Sequence, residues 1–160
     1  MEFLHWIEQT GLSTWVRESD SLWAYPGIIT FHAAGLAVLV GLSTVISLRI
    51  LGLLPGVPLA ALEKLYPMIW LGFWVNAVSG VLLIVSDPVT MLTKRLFFIK
   101  MALIACAVVN LILIRRWVFG SPAPRAGIWR ARTLAITSIV LWIAATTAGR
   151  LTAYLETVPL

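Results

Sequence analysis

Residues Tyr25–Leu54 read YPGIITFHAAGLAVLVGLSTVISLRILGLL. From Gly27 to Leu48 about 22 residues pass without a formal charge, enough to cross a hydrocarbon core of roughly 30 Å at 1.5 Å per residue. The stretch is therefore expected to be a transmembrane helix. It contains one imidazole, His32. An ionisable side chain at membrane depth costs a few kcal/mol when unpaired, on the order of 3 kcal/mol, so His32 is expected to face the bundle interior with a partner.

The rest of the composition agrees with a membrane chain. Of 160 residues, 60% are hydrophobic and only 12% are charged, and the mean hydropathy of +0.94 excludes an ordinary soluble domain. The length leaves room for about four spans with short connections and none for a separate soluble catalytic domain. A net charge of +5 would suggest nucleic acid in a soluble chain. Here the cations flank apolar spans, as orientation signals do, so no nucleic-acid partner is expected. The single cysteine, Cys106, lies inside an apolar span, cannot form an intrachain disulfide, and reads as a small apolar filler.

The N-terminal stretch MEFLHWIEQTGLSTWVRESDS lacks a basic n-region and an uninterrupted apolar run, so it is not expected to be a cleavable signal. Phe3, Leu4, Trp6, Ile7, Leu12, Trp15 and Val16 alternate with Glu2, Glu8, Gln9, Arg17 and Glu18, which predicts an amphipathic interfacial helix, with Gly11 as a break point. Residues 1–24 are thus read as an interfacial segment and 25–160 as one transmembrane domain. Its spans are expected at about 27–48, 66–85, 96–114 and 134–154. The predicted fold class is all-α, an integral membrane four-helix antiparallel bundle. Ala33, Ala37 and Gly41, like Gly72, Asn76 and Gly80, recur every four residues and predict close helix packing. Asn76 and Asn110 are expected to hydrogen-bond between helices.

Orientation follows from Lys and Arg in the short connections. Arg49, Lys64, Arg115, Arg116, Arg125, Arg130 and Arg132 fall on one side, against Arg17, Lys94 and Arg95 on the other. The positive-inside rule then places both termini outside, in the periplasm of a bacterial inner-membrane protein.

With that orientation His32, Lys100 and Arg150 all fall in the outer third of the bundle, about four to six residues from the outer span ends. The spans hold no Asp or Glu to neutralise them. Burying cations together without an anion is unfavourable, so either they reach outward or an anionic ligand joins them. Trp142, Thr146, Arg150 and Tyr154 follow an i, i+4 stripe, and Gly35, three residues after His32, leaves room for something flat. A haem b answers this pattern: His32 as axial ligand, with Lys100 and Arg150 able to pair with propionates. For the second ligand the chain offers His5, Lys100 as a neutral amine, and Met68 or Met101. The plainer alternatives are a hydrogen-bonded packing role for His32 and snorkelling for Lys100 and Arg150.

The motifs WAYP, TFHAAGLAVLVG, LRILG, FFIK with Asn110 beyond it, and AGRLTAY resemble a family of bacterial four-helix inner-membrane proteins with no assigned activity, over nearly the whole chain from about Trp15 to Tyr154. His32 with Gly35, and Lys100, are also similar to two elements of the membrane-type protoporphyrinogen oxidase. That resemblance implies haem b and an intramembrane lysine. The copper resistance membrane family looks similar in its helix and histidine style, but this chain lacks the His and Met clusters that copper handling needs.

Three functions are therefore expected from the sequence. The first is a small haem b-binding subunit passing electrons between a periplasmic partner and quinone. The second is a cofactor-free accessory or assembly subunit, a homo-oligomer or part of a larger membrane complex. The third is a protoporphyrinogen oxidase-like enzyme. An ion or proton transporter fits poorly, because the midplane lacks a chain of titratable groups.

Overall fold

The structure, a computed structural model, describes residues 2–120 and 127–154, with side chains to Leu151. Two short helices come first, α1 (Glu2–Glu8) and α2 (Gly11–Glu18). The break expected at Gly11 is present one residue earlier, at Thr10, and divides the amphipathic segment into two helices. The Thr10 hydroxyl oxygen accepts from Ser13 N at 3.4 Å and caps α2, while Gly11 is the first residue of α2. Phe3, Trp6, Leu12 and Trp15 are exposed, whereas Ser13 and Val16 are buried. Ser13 Oγ donates to Ser86 O at 3.3 Å, tying α2 down.

The first long helix, α3 (Tyr25–Leu51), opens with Pro26 in its first turn, where a missing N–H costs nothing. It ends at Gly52, whose φ of 90° is left-handed and suits only glycine cheaply; Gly52 N and Leu53 N turn back to Arg49 O and Leu48 O. A short α4 (Leu59–Glu63) leads into α5 (Tyr66–Ser86), again with a proline in its opening turn. Asp87 caps α6 (Pro88–Thr93) by accepting from Thr90 N at 3.2 Å. Next come α7 (Arg95–Ile114), continued by a π-helical turn over Arg115–Phe119, and α8 (Ile128–Tyr154).

Four segments are long and apolar enough to cross a membrane: Tyr25–Leu51, Leu59–Ser86, Arg95–Phe119 and Ile128–Leu151. The all-α four-span architecture expected from the sequence is present. The last helix begins six residues before the expected 134, because nothing between Ile128 and Leu134 breaks a helix. Exposed Arg130 and Arg132 ride on its first turns beyond the apolar region. Helix α3 is the central element: it packs on α5 and on α8, and α8 packs on α7, while α5 and α7 scarcely approach each other. Leu39, Ile46, Leu62, Tyr66, Ile69, Ala107, Leu111, Ile114 and Trp142 form the core cluster. The outer surface is apolar too, with Phe31, Leu71, Trp74, Val81, Val109, Val140 and Ile143 all exposed, as a chain solvated by lipid requires. Helices α1 and α2 lie against α5 and α6 at the end of the bundle opposite the arginine-rich connections.

The two small-residue stripes have different fates. On α5, Gly72 is buried and Asn76 and Gly80 half-buried against α3, as expected. On α3, Ala33, Ala37 and Gly41 are exposed, so that stripe does not pack within the bundle. The contact face of α3 is instead Gly35, Leu39, Ser43 and Ile46. A Cβ on Gly35 would stand 2.8 Å from Asn76 N and from Gly72 O, and one on Gly72 would stand 2.9 Å from Gly35 O. The backbones of α3 and α5 therefore meet at this glycine pair.

Candidate functional site

One turn from the Gly35–Gly72 crossing, α3 presents His32 to α5. The close approach puts His32 within reach of two polar side chains. Asn76 Nδ2 donates to the His32 carbonyl oxygen at 2.8 Å, which makes Asn76 the interhelical hydrogen bonder expected from its residue type. His32 Nδ1 lies 3.1 Å from Ser79 Oγ. The Ser79 hydroxyl is 2.6 Å from Val75 O, a carbonyl that can only accept, so the hydroxyl proton points there. Ser79 Oγ then accepts from His32 Nδ1–H, which leaves the lone pair of a neutral ring on Nε2. Gly80 makes the space for this ring: a Cβ there would come 3.1 Å from His32 Cε1.

Lys100, half-buried on α7, lays its stem along α8, where a Cβ on Gly149 would meet Lys100 Cε at 3.5 Å and Nζ at 3.7 Å. It stands within electrostatic reach of His32. Among the described residues no hydrogen bond or ion pair is recorded for its ammonium, and α3, α5, α7 and α8 contain no acid. The depths agree. His32 and Ser79 each lie seven residues, about 10 Å, from the ends of α3 and α5 opposite the arginine-rich connections, and Lys100 and Gly149 about 7 Å from the same ends of α7 and α8. The shared depth of His32 and Lys100 expected from the sequence is present.

The other expected site residues stand elsewhere. The space beside Gly35 is filled by the backbone of α5, so no flat ligand can lie there. Arg150 is exposed, because an i, i+4 stripe on a 3.6-residue helix turns about 40° per step. Trp142 is buried, Thr146 half-buried, and Arg150 has rotated off the core face. The side chain of Tyr154 lies outside the described residues. His5 is exposed on α1 with Nδ1 3.3 Å from Glu8 Oε2, and α1 packs on α5 and α6. Met68 and Met101 are exposed on the outside of the bundle. Among the described residues no three His, Cys, Asp or Glu side chains gather as a metal-binding group.

A groove of about 390 Å³ runs on the lipid-facing side of α3 and α5, lined by Ile28, Phe31, Trp74, Val75, Val78 and Leu82. Its one hydroxyl-bearing lining residue is Ser79, the same side chain that holds His32. Ser79 was legible only indirectly, as the residue beside Gly80 on the Gly72–Asn76–Gly80 face. The site thus offers an apolar groove opening to lipid, a buried hydroxyl and an imidazole with an acceptor nitrogen behind its wall, and at the same depth a lysine with no acidic partner among the described residues. Comparison with known protein families, with curated proteins and with solved structures finds no match to this chain.

Proposed function

We propose that this protein is a small inner-membrane subunit whose outer-leaflet site receives the headgroup of a lipid-soluble quinone or quinol. The observation that carries it is the α3/α5 groove, apolar along its whole surface, with the buried hydrogen-bonded pair Ser79–His32 directly behind its wall. A quinone has the matching chemistry: a long apolar tail for the groove and ring oxygens for a polar end. With Nδ1–H committed to Ser79, His32 Nε2 would accept the O–H of a quinol whose ring passes the groove wall; Lys100 lies against Gly149 of α8, outside the groove lining. The arginine-rich connections face the cytoplasm under the positive-inside rule, which puts the site and both termini on the periplasmic side.

For haem b the fit is partial. His32 is anchored through Nδ1 as axial histidines are, and its other nitrogen is available to iron. The face beside Gly35 is occupied, Arg150 is exposed, and His5 is engaged by Glu8, so these residues do not assemble a haem cage. Quinone extraction and an optical spectrum on one purified sample separate these readings. Quinone that is retained by the wild type and lost in His32→Leu supports the proposal. A b-type α-band without quinone would replace it with the haem subunit, and a colourless, quinone-free protein with stoichiometric partner chains would replace it with the accessory subunit.

A further inference from the structure

At the opposite end of the bundle, where α7 passes into the π-helical turn Arg115–Phe119 and α8 begins, a second groove of about 460 Å³ is lined by Leu113, Arg116, Trp117 and Arg130. Four arginines crowd this end of α7 and α8, and they are not equivalent. The guanidinium of Arg115 lies over the Tyr66 ring at 5.2 Å and that of Arg132 over the Trp129 ring at 5.9 Å, so each has an aromatic partner within the chain. Arg116 and Arg130 come from two different helices and converge on the groove. Among the described residues neither has an ion pair, and the connection between them, residues 121–126, contains no acid in its sequence. An orientation signal requires only that arginines lie on this side of the membrane; it does not require two helices to aim them into one groove beside Trp117 and Leu113. The π-helical turn gives this arrangement, because its wider winding rotates Arg116 and Trp117 relative to an uninterrupted α-helix.

We propose that this groove binds one anionic phospholipid, its phosphodiester between Arg116 and Arg130 and its first acyl carbons against Trp117 and Leu113. The chemistry is complementary on both counts: planar guanidinium groups pair with phosphate oxygens, and an indole at headgroup level with a leucine below it continues into hydrocarbon. The occupant is a lipid rather than free phosphate because the lining is half apolar and opens at the depth of the interfacial tryptophans.

Native mass spectrometry of the full-length protein in mild detergent tests this, with phosphatidylglycerol and phosphatidylcholine of matched chains as probes. The wild type should prefer phosphatidylglycerol, whose phosphodiester charge no choline cation neutralises, by up to about thirty-fold, about 1 kcal/mol for each arginine. Arg116→Gln with Arg130→Gln should bring the two lipids to near parity. Both side chains are exposed, so folding should be unaffected. Arg17→Gln with Arg95→Gln removes the same charge from the other end and should leave the preference intact. Excess inorganic phosphate should not displace the lipid. No preference in the wild type, an unchanged preference in the groove variant, an equal loss in the control variant, or full displacement by inorganic phosphate would each overturn the proposal.

Discussion

Replacing Gly35 by alanine perturbs the helix crossing on which the His32 site depends, and the contacts fix the sign. A Cβ at this position stands 2.8 Å from Asn76 N, 2.8 Å from Gly72 O and 3.1 Å from Val75 Cγ1. Two of these atoms are backbone and cannot rotate away, so α5 has to retreat by roughly half an ångström or more to reach ordinary contact. Forcing an extra carbon into a packed interface costs about 1–3 kcal/mol, and backbone against backbone belongs at the upper end. Alanine returns about 1 kcal/mol of helix propensity, leaving a net loss near 2 kcal/mol. Gly41 on the same helix is the control: it is exposed, and a Cβ there meets nothing within 4 Å. Gly41→Ala should therefore stabilise by about 0.5–1 kcal/mol, opening a gap of about 3 kcal/mol between two identical substitutions. Reversible unfolding in mixed detergent micelles, followed by tryptophan fluorescence, measures both. If Gly35→Ala matched or exceeded the wild type, or if the two variants moved together, the close crossing of α3 and α5 would be refuted.

Three further outcomes follow from the same contacts. Asn110→Leu removes the Asn110 Nδ2 donation to Leu134 O at 3.0 Å but also removes Oδ1, which is buried without a partner. The same unfolding assay should show a loss under about 1 kcal/mol, and a loss of several would contradict this balance. Ser13 is fully buried where α2 meets α5, so Ser13→Leu should undock α2 and speed tryptic cleavage at Arg17, with the four spans still folded; unchanged cleavage would show that α2 is not held there. Cys106 is exposed on the apolar surface at mid-span, out of reach of a reagent dissolved in water, so a membrane-impermeant maleimide should label it only after denaturation and not in intact membranes.

Much of the architecture was legible because length and charge interruption alone define a membrane span: the runs after Tyr25, Tyr66, Arg95 and Arg132 could not be soluble helices of ordinary kind. Which face of each span turns inward was harder. A helix solvated by lipid is apolar all round, so α3 carries no amphipathic signal to separate Gly35, Leu39 and Ser43 from Ala33, Ala37 and Gly41. Small residues occur on both sides, and only the partner helix decides which are contacted. The shared depth of His32 and Lys100 was readable by counting along the helices. The rotation of Arg150 off the core was not, because that depends on where Trp142 seats in the core. Ser79 escaped notice because an isolated serine in a span usually bonds its own helix. It does so here through Val75 O while also holding the imidazole of the neighbouring helix.

The most direct test of the account is the quinone content of the purified protein, extracted into organic solvent and counted per chain, in the wild type and in His32→Leu. Near-stoichiometric quinone in the wild type, falling by at least about ten-fold in the variant while the fold is retained, is the result expected of a headgroup held at the Ser79–His32 pair. Equal content in both proteins, or none in either, would contradict it.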